Sequence, residues 1–121
     1  MREIKFRAWS DKNMHVVKTI HFSQTDGEID GVGLAYRGAY FPIGMVNLMQ
    51  FTGLKDKNGK EIYEGDIVRQ REFIPNDHTI TAEIVFSEGC FILNGWEQFI
   101  CPNQCEVIGN IYENPELLKG R

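Results

Sequence analysis

Two turn signals fall within one short run, Gln50 to Arg69, Q-F-T-G-L-K-D-K-N-G-K-E-I-Y-E-G-D-I-V-R, and they leave this part of the chain few ways to fold. Asn and Gly enter positive φ most cheaply, so Asn58-Gly59 is expected to fill the two central positions of a type I′ hairpin turn. Glu64-Gly65-Asp66 is a second turn, in which the Asp66 side chain accepts backbone donors, and Ile67-Val68 then opens a β-branched strand.

The same punctuation recurs along the chain. Ile4, Phe6 and Ala8 alternate with Lys5, Arg7 and Trp9, the period of a half-buried strand. Ser10-Asp11-Lys12-Asn13 turns it, and Met14 to Phe22 reads as the return. Ser23 to Gly38 is rich in Gly and acidic residues and reads as a long loop, with a short hairpin as the alternative and Gly31-Val32-Gly33 as flexible backbone. Tyr40-Phe41-Pro42 closes it, because Pro lacks a donor and suits an edge or a strand start. Met45 to Phe51 fits a strand or one helical turn. Ile67–Phe73, Thr79–Phe86, Cys90–Leu93 and Val107–Tyr112 complete the strands, and Asn114-Pro115 caps a short C-terminal helix. The expected fold is therefore mainly β, a single compact antiparallel barrel or sandwich spanning residues 1–121, with that one helix. Glu64 to Val68 followed by Ala82 to Phe86 resembles the opening of SH3-like barrels, a likeness of architecture only.

The Gln50–Val68 run, M-R-E-I-K-F-R-A-W at the start and E-V-I-G-N-I-Y-E-N-P-E-L-L at the end resemble, in that order, the YopX family of small phage and prophage proteins. Ser23 to Tyr40 and Phe73 to Thr79 match nothing in that pattern and read as loops that differ between relatives. The resemblance implies a compact, mostly β protein encoded by a mobile element, and it brings no catalytic residues to this chain.

Charge narrows the choice of partner. The net charge is −4, which disfavours unspecific nucleic-acid binding, since that depends on many Lys and Arg contacts to phosphates. Residues 1–71 carry eleven basic and nine acidic groups, whereas residues 72–121 carry two basic and eight acidic. Halves on different faces would steer one copy onto another; halves interleaved in one structure would average out. No window approaches the roughly 20 apolar residues of a membrane span. Three cysteines without a secretory segment read as reduced thiols in the cytoplasm of a bacterial host.

Candidate chemistry is thin. Cys101 and Cys105 have a spacing that zinc permits, and Cys90 with His78 would complete a Cys₃His set, but only one side is paired; buried free thiols explain them better. Asp56, Asn58 and Glu61 near a Gly miss the calcium-loop order, and the hairpin accounts for them. Asp77-His78 is the one adjacent acid–imidazole pair, while His15 and His21 are expected on one strand face. No set passes the role test for catalysis, so the chain reads as a non-enzyme with no cofactor and no metal. The expected function is that of a phage-derived accessory protein acting through protein–protein contacts, with itself as one partner. The candidate contact surface is Lys5, Arg7, Trp9, Tyr40, Phe41, Arg69, Arg71 and Trp96, aromatic and cationic side chains of the kind that anchor interfaces. Cations beside a ring also suit single strands, so a nucleic-acid-binding small barrel is the alternative.

Overall fold

A computed structural model describes residues 2–71, 78–96 and 98–119. The chain divides into two compact units, Glu3–Gln50 and Phe51–Arg121, the latter together with Met1–Arg2. Among the described residues the strands pair antiparallel throughout and lie in two sheets, so the fold is mainly β as expected, and of the barrel or sandwich expected it is not a single closed barrel. Among the described residues there is no α-helix: four single 3₁₀ turns are the only helical structure.

In residues 3–50, β1 (Phe6–Ser10) and β2 (Asn13–Phe22) form a hairpin, Ser10 opposite Asn13. Its two turn residues, Asp11 (φ 51°) and Lys12 (φ 64°), both lie in the left-handed region that a type I′ turn demands, although neither is Gly or Asn. β3 (Ile29–Leu34) and β4 (Tyr40–Pro42) follow, and β5 (Asn47–Lys55) returns beside β1, giving the order β4-β3-β2-β1-β5. Pro42 ends the edge strand, where its missing donor costs no ladder bond. Of the two readings of Met45 to Phe51 the strand is the one realised, as β5 from Asn47; a 3₁₀ turn at Ile43–Met45 precedes it. Ala8, Val32, Leu34 and Val46 form the buried cluster of this unit, with Val17, Ile20 and Phe41 packed against it.

The long loop expected from Ser23 to Gly38 is a correction. Gly31-Val32-Gly33 belongs to β3, and Val32 is fully buried. The glycines are there for space: a Cβ at Gly31 would meet the Tyr40 ring and hydroxyl, and one at Gly33 would meet the Thr19 hydroxyl. A second correction concerns the histidines. β2 carries an irregularity between Val17 and Thr19, where the register against β3 shifts. That extra residue reverses the alternation, so His15 shares its face with Val17 on the core side while His21, next to inward Ile20, faces away.

In residues 51–121 the second half of β5 pairs with β6 (Glu61–Tyr63), and β7 (Asp66–Arg71), β8 (Thr79–Ser87), β9 (Cys90–Leu93), β10 (Gln98–Phe99) and β11 (Cys105–Asn110) form a sheet in the order β10-β9-β8-β7-β11. Residue 73, the expected end of β7, lies outside the described residues. Ile62, Val68, Ile80, Ala82, Ile84, Leu93, Ile100 and Cys105 make one buried cluster.

The turn at Asn58-Gly59 differs from expectation in type. Only Gly59 has positive φ (83°); its N–H bonds the Asp56 carbonyl at 3.0 Å, and the Asp56 N–H bonds Lys60 O at 2.8 Å. This is a three-residue loop closing on a left-handed Gly, not a type I′ turn. The reason is Asp56 itself. Its buried carboxylate accepts the Asn58 and Lys60 amides on Oδ1, both at 2.9 Å, and the Val107 amide on Oδ2 at 2.8 Å. Asp66 behaves as expected, accepting the Tyr63 amide of its own turn at 2.7 Å.

The C-terminal helix is also corrected. Pro115–Leu118 is one 3₁₀ turn, and the Asn114 side chain makes no capping bond to it. Instead Asn114 Oδ1 accepts the Asn110 amide at 3.2 Å and Asn110 Oδ1 accepts those of Tyr112 and Glu113, so the side chains expected to start a helix close a turn behind β11.

Burial alone would raise the Asp56 pKa, but the amides of Val107, Lys60 and Asn58 and the Lys60 charge outweigh it and hold the carboxyl below its ordinary 3.8. A lowered folded-state value stabilises the protein above the ordinary pKa, and that contribution is lost as pH falls through the lowered value. Asp56→Asn keeps an acceptor for two amides but turns an NH₂ toward Val107 N–H; urea unfolding at neutral pH should show a loss of about 2–3 kcal/mol. The variant should also shed part of the acid sensitivity expected below about pH 4. Lys12→Gly, which relieves a left-handed non-glycine residue, should raise the unfolding free energy by up to about 1 kcal/mol in the same assay.

Candidate functional site

Strand alternation sets out the first site. On β7, Val68 and Gln70 face the core, so Arg69 and Arg71 point outward together. Thr79 lies opposite Arg71 on β8, and Glu106 opposite Arg69 on β11. Inner Gln70 secures the neighbouring wall: its Nε2 donates to Phe99 O at 3.1 Å and its Oε1 accepts the Cys101 amide at 2.8 Å. That clamp holds the 3₁₀ turn Pro102–Gln104, closed by the Gln104 N–H on Cys101 O at 2.8 Å. Lys57 is held by its own N–H on Cys105 O at 2.9 Å. Lys57, Arg69, Arg71, Thr79, Asn103 and Gln104, with Glu106, line an open cleft of about 220 Å³.

A second, larger cleft of about 610 Å³ belongs to residues 3–50. Its lining mixes apolar Val16, Leu34 and Phe41 with His15, Tyr36 and Arg37. Val16 is 62 % and Tyr36 58 % exposed, so much apolar surface here is left in water. Tyr36 and Arg37 stand on a 3₁₀ turn at Tyr36–Gly38; Arg37 adopts φ 57° and places its guanidinium 5.0 Å from the Tyr36 ring centre. His15 Nε2 lies 3.3 Å from Ser10 O, which fixes the imidazole at the mouth.

The eight candidate contact residues are therefore dispersed. Phe41 lines the larger cleft and Arg69 with Arg71 the smaller one. Tyr40 is exposed on the edge strand but its ring lies edge-on to His21 at 5.0 Å, with its hydroxyl 3.4 Å from Asp30 O. Lys5 pairs with Glu3 at 3.3 Å, and Arg7 and Trp9 are half-buried on β1. Trp96 stands in the turn after β9, 40 % exposed. Lys57, Asn103 and Gln104 were not legible as partners of Arg69, because contacts across many residues of chain bring them together. The one sequence signal was their polar character beside turn formers. In residues 51–121 the acidic C-terminal stretch interleaves with the basic one, since β7 lies between β8, carrying Glu83, and β11, carrying Glu106.

The cysteines do not converge on a metal: among the described residues no three His, Cys, Asp or Glu side chains are placed to hold one. All three thiols are free, and Cys105 is wholly buried. Asp77 of the acid–imidazole pair lies outside the described residues, and His78 is exposed. Among the described residues no helix is long and apolar enough to cross a membrane.

These sheets, with turns in which Asp56, Asp66 and Asn110 accept backbone amides, define a small mainly β protein. The chain belongs to the YopX protein family, whose pattern matches residues 5–119. Among solved structures it is similar to protein EF1440 from Enterococcus faecalis, with 30% identity over 98% of this chain and 100% of that chain and a TM-score of 0.75. Comparison with curated proteins gives no match.

Burial, with the Asp56 charge adding to it, pushes the Cys105 thiol up to about 12. Alkylation of the native protein with iodoacetamide at mildly alkaline pH should label half-buried Cys90 and Cys101 while sparing Cys105 until denaturant is added, as peptide mass spectrometry would show.

Proposed function

We propose that this YopX-family chain is a phage- or prophage-derived accessory protein that works without catalysis, in the cytoplasm of a bacterial host, through contacts with other proteins including copies of itself. One observation carries the reading. The cleft of about 610 Å³ leaves Val16, Tyr36 and Phe41 open to a partner's apolar side chain, with the His15 and Arg37 side chains at hand to orient it. The buried carboxylates Asp56 and Asp66 support it from the other side, since each is occupied with backbone amides of the fold.

The alternative, nucleic-acid binding, draws on the convergence of Lys57, Arg69 and Arg71. A mobility shift at low salt decides it, because a basic surface that binds phosphates must do so most strongly there. Absence of a shift at micromolar protein removes this reading.

For self-association, Val16 is the residue to change, because it is exposed and its replacement leaves the core intact. Sedimentation over a wide concentration range should show a reversible oligomer, and Val16→Glu should weaken it about tenfold or more, the worth of burying one such side chain. A wild-type protein that stays monomeric throughout would remove copies of itself from the list of partners.

A further inference from the structure

We propose that the basic cleft of residues 51–121 receives the carboxylates of an acidic segment of a partner protein; this rests on the protein-contact function proposed above and assigns that contact a ligand chemistry. Arg69 and Arg71 are alternate residues of one strand, so their side chains rise about 6.6 Å apart on the same face. An extended peptide with acidic residues at alternate positions presents its carboxylates at that same repeat. Two guanidiniums offer planar, two-pronged donors to carboxylates, and Lys57 adds a point charge. Among the described residues, the side chains of Arg69 and Lys57 make no hydrogen bond or ion pair, even with Glu106 in the same cleft. The walls are fixed before any ligand arrives: Lys57 is pinned on Cys105 O, and the Asn103-Gln104 turn is held through the Gln70 clamp.

Three features favour an acidic peptide over a nucleic-acid strand. No aromatic ring is among the described residues lining the cleft, so no base finds a stacking platform. At about 220 Å³ the space falls below the roughly 300–1,000 Å³ of sites that enclose a larger molecule, and suits single side-chain groups. Glu106 opposes Arg69 across the strands; it repels any anion beside it, and a peptide, unlike a phosphate strand, can turn a backbone N–H or a neutral side chain to it between its acids.

Fluorescence anisotropy at low salt with a labelled alternating Glu-Ser peptide, against an alternating Lys-Ser peptide and an oligothymidylate of equal charge, tests this. The Glu-Ser peptide should bind, and Arg69→Glu should weaken it at least tenfold. Arg69→Gln should have a smaller effect, and Lys18→Glu, the same charge change placed on β2, should have none. Circular dichroism confirms that each variant is folded, as the outward position of Arg69 predicts. The inference is overturned by an unbound Glu-Ser peptide, by equal losses in Arg69→Glu and Lys18→Glu, or by an oligothymidylate that binds more tightly and is released by Arg69→Glu, which would assign the cleft to nucleic acid. Light scattering on the wild-type protein separates the two levels. Wild-type self-association without binding of the Glu-Ser peptide sinks the acidic ligand alone; a wild-type monomer that binds the peptide sinks self-association alone.

Discussion

The carboxylate of Asp56 is the point on which the second unit turns. One buried acid takes the two inward amides of its own hairpin loop and a third amide, from Val107 on β11. Strand β11 is the edge of its sheet, and edges expose unpaired backbone groups that invite other chains. Here the exposed side is met by the loop: Asp56 takes the Val107 N–H, and Lys57 N–H gives to Cys105 O. The loop thus closes the edge in place of a further strand, and a charged acceptor makes each bond worth more than a neutral one would be. The next turn does the same further along, where Gly65 O accepts the Ile111 amide and Gly65 N–H gives to Ile84 O.

This distribution explains why the run Gln50–Arg69 marks a family without announcing a chemistry. Asp56 and Asp66 accept backbone amides near and far, and Gly59 closes the loop in the left-handed region. The outward register of the strand that follows brings Arg69 into the cleft. β7 has two faces separated by its pleat: inward Gln70 bonds the backbone of Phe99 and Cys101, while Arg69 and Arg71 take the outward, exposed positions. One strand therefore builds the wall of the cleft from beneath and supplies its cations from above.

Much of this architecture was legible because it depends on local rules. Alternation located β1, β8 and β9 to within a residue or two, and Pro42 declared an edge. Local rules failed where a distant partner decided. Gly31 and Gly33 read as loop, since nothing local reveals that Tyr40 and Thr19 would need their space. Asn58-Gly59 read as type I′, since the sequence alone does not show Asp56 reaching both amides of the loop. Asn114-Pro115 read as a helix start, but the Asn114 side chain turns back to Asn110. A one-residue bulge separated His15 from His21. The contact surface fared likewise: composition found Arg69, Arg71 and Phe41, whereas Lys57, Asn103 and Val16 join them only through tertiary structure.

The overall charge of −4 and the basic cleft are compatible once distance is considered. Residues 3–50 carry five basic and five acidic groups, so the whole excess of acid falls in the unit that also holds the cleft. Salt limits the reach of a charge to about 8 Å at physiological ionic strength. Among the described residues lining the cleft, Lys57, Arg69 and Arg71 stand against Glu106, a local surplus of positive charge. Beyond it, a long polyanion would run on over a predominantly acidic unit and be repelled along its length. A short acidic segment escapes that repulsion because it ends where the cations do. The same total that argues against a nucleic-acid strand therefore sharpens the choice of a brief, locally matched partner.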